Sequence, residues 1–339
     1  MEELNNPEPE ATPKTESTPF ENRIDLSGLQ KIVNDVRTEI KKVIVGQDEF
    51  IDLLICGLLA NGHVLVEGVP GVAKTLTVRI LSKTLDTGFS RIQFTPDLMP
   101  ADIIGTTIFN TKSSEFEFKE GPVFSNLVLI DEINRSPAKT QAALFEVMQE
   151  QQITVDGTSY KMEDPFMVIA TQNPIEHEGT YRLPEAQLDR FLFKIEVGYP
   201  VLEDEVAILE GSYERKTAPD TEQIDAVVSA ETLNEQRKLV NEIHVEKELM
   251  SYIAQIVHET RNSASISIGA SPRASVYLLK AAQAWAAMRG RDFVSPEDVK
   301  QIIVPTLRHR IMLTPEKEME GVLPDTVLLQ LANKVEVPR

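Results

Sequence analysis

The sequence predicts an α/β protein, with a doubly wound domain on a parallel five-stranded sheet followed by a smaller all-helical domain. Three observations point there. Five short runs rich in β-branched or aromatic residues alternate with helical segments between residues 63 and 197. A glycine-bearing loop joins the first of these runs directly to a helix. After Tyr199-Pro200 the strand pattern gives way to helix-start signals. The implied division is a tail over residues 1–22, an α/β domain over 23–199 and a helical domain over 200–339.

The tail is dominated by Glu, Pro, Thr and Ser with almost no apolar content, as expected of a disordered acidic segment. Leu29, Ile32, Val33, Val36, Ile40 and Val43 then follow a helical period, and Ile51, Leu54, Ile55, Leu58 and Leu59 mark a second helix ending at Asn61-Gly62. The strand runs are His63–Glu67, Arg91–Phe94, Leu127–Ile130, Phe166–Ala170 and Phe191–Val197. Several are nearly continuous in apolar character, which fits strands buried on both faces of a parallel sheet. A helix is expected to open at Ser136-Pro137, with Ser as N-cap and Pro at the first helical position. Asp156-Gly157 between Ile153–Val155 and Ser159-Tyr160 predicts a tight hairpin, and Thr107–Asn110 with Phe116–Phe118 predicts another. In the last third, Ile253, Ile256 and Val257 mark one helix. A second runs from Ser271-Pro272 to Gly290, and a third opens at Ser295-Pro296-Glu297-Asp298, which resembles a capping box.

Composition narrows the function. The chain carries 34 Lys+Arg against 53 Asp+Glu, a formal charge of −19, and no block of basic residues. Phosphate backbones are repelled by such a surface, so no nucleic acid is expected as partner. The lone Cys56 sits in an apolar run and reads as a buried small hydrophobe. No basic start followed by an apolar core is visible, so no secretory signal is expected. The longest apolar stretch, residues 53–66, is broken by Asn61 and His63 and is too short to cross a bilayer. A cytoplasmic protein without a transmembrane segment is the expectation.

Chemistry concentrates in two places. Gly68, Val69, Pro70, Gly71, Val72, Ala73, Lys74 and Thr75 follow the first strand and open a helix through Leu76, the setting a P-loop requires. Its backbone N–H groups cradle a β-phosphate, Lys74 reaches β and γ oxygens, and Thr75 can ligate Mg²⁺. Ala73 takes the place of the second glycine of that pattern. The second place is Leu127–Ile130 ending in Asp131-Glu132. Ligands of open α/β sheets gather at the carboxyl ends of strands, which puts Asp131 beside Mg²⁺ and Glu132 where it can orient and deprotonate an attacking water. Together these imply ATP and Mg²⁺ as cofactors and ATP hydrolysis as the reaction. The five histidines show no zinc-type spacing.

Asp131-Glu132, the strand Phe166–Thr171 running into Gln172-Asn173-Pro174, and the string Leu183–Phe191 resemble AAA+ ATPases, and more closely the MoxR family. The resemblance covers residues 24–335, with Ile44, Val45, Gly46 and Gln47 similar to the family's adenine-side segment. It implies an AAA+ P-loop domain with a helical lid, and two insertions at residues 95–121 and around Asp156-Gly157. By the same resemblance Asn173 is sensor 1, placing the water. Arg190 is the arginine finger, reaching the nucleotide of a neighbouring subunit, with Arg182 as its competitor. Arg273 is sensor 2, and Arg135 is a candidate at the subunit interface. The implied assembly is a homo-oligomer, a hexameric ring. Its implied work is chaperone-like remodelling in maturation or assembly of a partner protein or metalloenzyme complex, as in relatives that act beside von Willebrand A-type domains. A metal-chelatase motor subunit and a nucleic-acid or transcription ATPase are the alternatives. The transcription activators' loop signature is absent from residues 95–121.

Overall fold

The computed structural model describes residues 24–112, 114–174, 181, 183–215 and 221–338. The acidic tail, His177 and Arg182 lie outside the described residues.

Two amphipathic helices lead in, α1 (Ser27–Lys41) and α2 (Asp48–Leu59), followed by β1 (Val64–Gly68), α3 (Lys74–Thr84), the two-residue β2 (Leu85–Asp86) and β3 (Phe89–Gln93). A short α4 (Pro100–Ile104) precedes the hairpin β4 (Gly105–Asn110) and β5 (Glu115–Glu120). Next come β6 (Leu127–Asp131), α5 (Ala138–Glu150), the hairpin β7 (Gln152–Val155) and β8 (Thr158–Lys161), β9 (Met167–Gln172), α6 (Glu185–Leu188) and β10 (Phe193–Val197). All five expected strands are present. They form one sheet in the order β10-β1-β9-β6-β3, and every pairing in it is parallel. Neighbours in this order are not neighbours in sequence, so each carboxyl end faces the same edge with a crossover between. The sheet's central strands are buried along their length, as continuous apolar runs require.

Both predicted hairpins form. Asp156 and Gly157 take φ of 50° and 83°, the left-handed pair that a two-residue turn with matching twist demands. The hairpins also touch each other: Thr107 donates to Asp156 Oδ2 at 2.6 Å, and the Phe118 and Tyr160 rings lie 4.4 Å apart. At the far end of the first hairpin Phe109 and Phe116 meet edge to face, both exposed.

One helix start differs from expectation. Pro137, not Ser136, occupies the N-cap position of α5, with extended ψ of 152°. The Ser136 hydroxyl is buried and caps nothing.

The C-terminal part holds α7 (Leu202–Arg215), β11 (Val228–Ser229), α8 (Ala230–Asn241), α9 (Lys247–Asn262), β12 (Ile266–Ile268), α10 (Pro272–Met288), α11 (Pro296–Leu307), β13 (Met312–Leu313), α12 (Pro315–Met319) and α13 (Pro324–Lys334). Its helices dominate, but strand structure does not end at Tyr199. β12 pairs antiparallel with β13, and β11 adds to β2 in parallel. Pieces of two or three residues are too short to leave a periodic signal in sequence. Ser271 and Ser295 occupy the N-cap positions of α10 and α11, each with Pro at the first helical position, and the Ser295–Asp298 capping box is formed. The apolar faces of α1, α2 and α10 share one buried cluster with the underside of the sheet, including Leu54, Cys56, Ile169, Leu278 and Trp285. That cluster fastens the helical part to the α/β part. His63 ties β1 to its neighbours, accepting from Val168 N–H at Nδ1 and donating from Nε2 to the Met148 carbonyl, both at 3.0 Å. Burial lowers its pKa to about 4, so the ring is neutral.

Candidate active site

Gly68, the last residue of β1, leaves no room for a side chain: a Cβ there would stand 2.6 Å from the Val197 carbonyl oxygen. The chain then turns through Gly71 at φ 88° and Ala73 at φ 57° and enters α3 at Lys74. Ala73 thus adopts the left-handed conformation that a glycine would take without penalty, and its methyl group costs about 1 kcal/mol. Lys74 Nζ curls back on its own loop, donating to the carbonyls of Gly68 and Val69.

The carboxylate of Asp131, only 4% exposed, is the point on which neighbouring strands converge. Thr75 donates its hydroxyl to Oδ1 at 2.9 Å and Thr171 donates to the same oxygen at 3.1 Å. Arg91 pairs with Oδ2 at 2.6 Å. Glu132 follows in a left-handed turn, φ 57° and ψ 52°, and its N–H donates to the Thr171 hydroxyl at 3.1 Å. A glutamate held at positive φ just past a strand end is the kind of local strain that collects at functional positions. The turn carries the Glu132 side chain to the outer face of β3, where Gln93 donates to Oε2 at 2.8 Å and Arg135 pairs with the same oxygen at 3.1 Å.

These groups face one cavity of about 540 Å³ at the carboxyl edge of the sheet. Its wall runs from Pro70 through Leu76 and includes Asp131, Glu132 and the buried Asn173. It also includes Arg91, Gln93, Thr171 and Gln172, which sequence reading missed. The signal for Arg91 and Gln93 was their two-residue spacing on a strand, which puts both on one face, but only the register Gln93↔Asp131 shows which acids they meet. The size suits a nucleotide's phosphates and more. Helix α3 directs its N-terminus at this cavity, which favours an anion. The hydroxyl of Thr75 and the carboxylate of Asp131 are hard oxygen ligands already within hydrogen-bond reach, so they fit Mg²⁺ shared with phosphates. Among the described residues no group of three or more His, Cys, Asp or Glu forms a metal site without such a ligand.

Other expected residues lie elsewhere. Gln47 touches the loop from behind, donating to the Val72 carbonyl at 2.9 Å, while Val45 and Gly46 are set back from the cavity wall with Asp204 of α7 against Gly46. Arg190, at the end of α6, donates to the Phe145 carbonyl of α5 and is absent from the cavity wall of its own chain. Arg273 sits in the first turn of α10, 41% exposed, and leans on Asp189 at 3.8 Å, also outside that wall. Cys56 is fully buried, and burial pushes its thiol pKa up, as an inert core residue requires.

Residues 63–193 match a family described as ATPases associated with various cellular activities (AAA), and residues 258–330 match an AAA lid domain. The chain is 45% identical over 310 residues to the YeaC protein of Bacillus subtilis, covering 91% of this chain and 96% of that one. It is equally 45% identical to the chaperone MoxR1 of Mycobacterium tuberculosis, over 89% of this chain and 81% of the relative. A crystal structure of a candidate ATPase from Cytophaga hutchinsonii superposes with a TM-score of 0.85 at 43% identity, covering 92% of this chain and 97% of that one.

Proposed function

Because the chain belongs to the MoxR family of AAA+ ATPases, we propose that it hydrolyses ATP in the cavity between the P-loop and Asp131-Glu132 and spends the reaction on remodelling a partner protein. The observation that carries this reading is the convergence of Thr75, Arg91 and Thr171 on one buried carboxylate, in the same cavity wall as a cradle of backbone N–H groups at a helix start. In this reading the N–H groups of residues 71–75 and the Lys74 ammonium bind the β- and γ-phosphates, which draws Lys74 off the Gly68 carbonyl. Thr75 and Asp131 would hold Mg²⁺, which supplies positive charge against the phosphate oxygens.

Glu132 accepts the proton of the attacking water at a carboxylate oxygen as the new oxygen–phosphorus bond forms and the bond to the ADP oxygen breaks. Gln93 and Arg135 both bond Oε2, which fixes the carboxylate's orientation while its other oxygen, Oε1, can take the proton. Asn173 orients that water from the end of β9. Neither Arg190 nor Arg273 lines the cavity of its own chain, which leaves room beside Lys74 for a further cation against the transferred phosphoryl group. Arg190 of a neighbouring subunit supplies it in a ring of six. Leaving the Phe145 carbonyl is then part of its engagement. The name of the chaperone relative supports a protein as the object of the work, and the −19 charge supports it over nucleic acid. A cytoplasmic site of action accords with the finding that no described helix is long and apolar enough to cross a membrane.

The test is Glu132→Gln. This variant is expected to retain ATP without releasing phosphate and to trap a protein partner in pull-downs. Phosphate release at the wild-type rate would remove Glu132 from the mechanism, and recovery of DNA or RNA in place of protein would overturn the remodelling reading.

A further inference from the structure

Four consecutive backbone carbonyls, those of residues 189 to 192, are each held by a side chain of the helical lid. Arg310 donates to the Asp189 carbonyl at 3.1 Å and the Leu192 carbonyl at 3.2 Å, and also to that of Phe191. His309 donates from Nε2 to the Phe191 carbonyl at 3.0 Å, and the Tyr277 hydroxyl donates to the Arg190 carbonyl at 3.3 Å. The Arg310 side chain is 1% exposed, pairs with the Asp189 carboxylate at 2.8 Å and lies 4.9 Å from the centre of the Tyr277 ring. Ser271, the N-cap of α10, donates to the other Asp189 oxygen at 2.9 Å. A turn of chain whose every carbonyl is occupied by another body moves with that body. A buried guanidinium is costly unless fully paired, so each of these bonds is expected to hold the others in place.

We infer that Tyr277, His309 and Arg310 are positioning residues for Arg190: the lid grips the Arg190 turn and sets where its guanidinium is presented to the neighbouring subunit. The clamp lies on the lid and acts through the backbone of residues 189–192, so it serves the neighbour's ATP and leaves the phosphate cavity of its own chain untouched. This inference rests on the trans-acting Arg190 of the proposed function. A clamp that merely stiffened the fold would slow the subunit that carries the substitution, whatever its neighbour.

Tyr277→Phe removes one hydroxyl from the clamp and keeps the ring over Arg310. It is expected to lower kcat about three- to tenfold, the equivalent of one neutral hydrogen bond, with nucleotide Kd unchanged. Arg310→Lys keeps the charge beside Asp189 but loses the fork, and a larger fall is expected. The deciding experiment mixes Tyr277→Phe subunits with an excess of Glu132→Gln subunits before assembly and measures turnover per subunit with intact Glu132. The Glu132→Gln subunits do not turn over but have wild-type clamps and Arg190, so the clamp as drawn predicts recovery towards the wild-type rate. Arg190→Ala mixed with Glu132→Gln serves as the control. Recovery of the control without recovery of Tyr277→Phe overturns the clamp alone. Failure of both overturns the trans-acting Arg190, and the clamp with it.

Discussion

At the strand ends the backbone itself delivers the groups that line the cavity: Lys74 and Thr75 come at a helix start, Asp131 and Glu132 at the close of one strand, Asn173 just past another. At the Arg190 turn the backbone delivers only acceptors, and the donors arrive from residues 87 to 121 positions away in sequence. The first region is assembled within one chain and, on the proposed reading, lacks only the neighbour's Arg190. The second is a turn bearing a cationic side chain, its backbone carbonyls bonded by Arg310, His309 and Tyr277 beside Asp189. On the proposed reading the contrast makes binding and turnover separable, with binding resting on local geometry and turnover on how two bodies are docked.

The sharpest way to break that contrast is to remove each side's central cation. Lys74→Ala is expected to abolish ATP binding with the fold intact, checked by titration calorimetry beside circular dichroism; micromolar binding would remove Lys74 from the phosphate site. Arg190→Ala is expected to leave binding untouched and to cut turnover about 10³-fold or more, as an arginine finger does. Undiminished phosphate release by this variant would pass the role to Arg182. Acid should act on neither site first but on the core beneath them. The pKa of His63 is depressed from 6.5 to about 4 by burial, so the unfolded chain binds the extra proton in that window. Stability is therefore full above pH 6.5 and is lost as pH falls towards 4, by about 3 kcal/mol from this group. His309, also neutral through burial, adds in the same direction. Urea midpoints at several pH values should show a shallower slope in His63→Gln, whose amide can make both bonds without titrating. The smallest effect is expected at Ala73→Gly, which relieves the positive φ and stabilises by about 1 kcal/mol with ATP affinity kept. A melting temperature below wild type would show that the methyl group packs rather than strains.

The sequence was legible where chemistry is contiguous. Gly68–Thr75 announces itself because turn, cradle and cation share eight positions, and Leu127–Glu132 because an apolar strand ending in two acids is readable without a partner. The five strands were legible for the same reason, as short local runs rich in β-branched or aromatic residues. Arg91, Gln93 and Thr171 were not, since their role depends on which strands lie beside β6, and strand order is a tertiary fact. Arg310 was invisible for a deeper reason. A buried arginine has no compositional signature, and only its Asp189 partner, 121 residues earlier, gives it meaning. Ser136 misled because an N-cap residue followed by Pro is a common helix start, and here the chain spends one more residue in extended form before turning.

The bond between Thr107 and Asp156 fastens two hairpins that branch from different stretches of chain. The second hairpin continues α5 with only Gln151 between them, and α5 begins six residues past Glu132. A tilt of that helix would therefore be handed to the β7–β8 ribbon and, through the Phe118–Tyr160 stack, to the exposed Phe109–Phe116 tip as well. Mechanically the pair behaves as a single crank: one shaft in, two arms out, with a hydrogen bond of 2.6 Å as its pin.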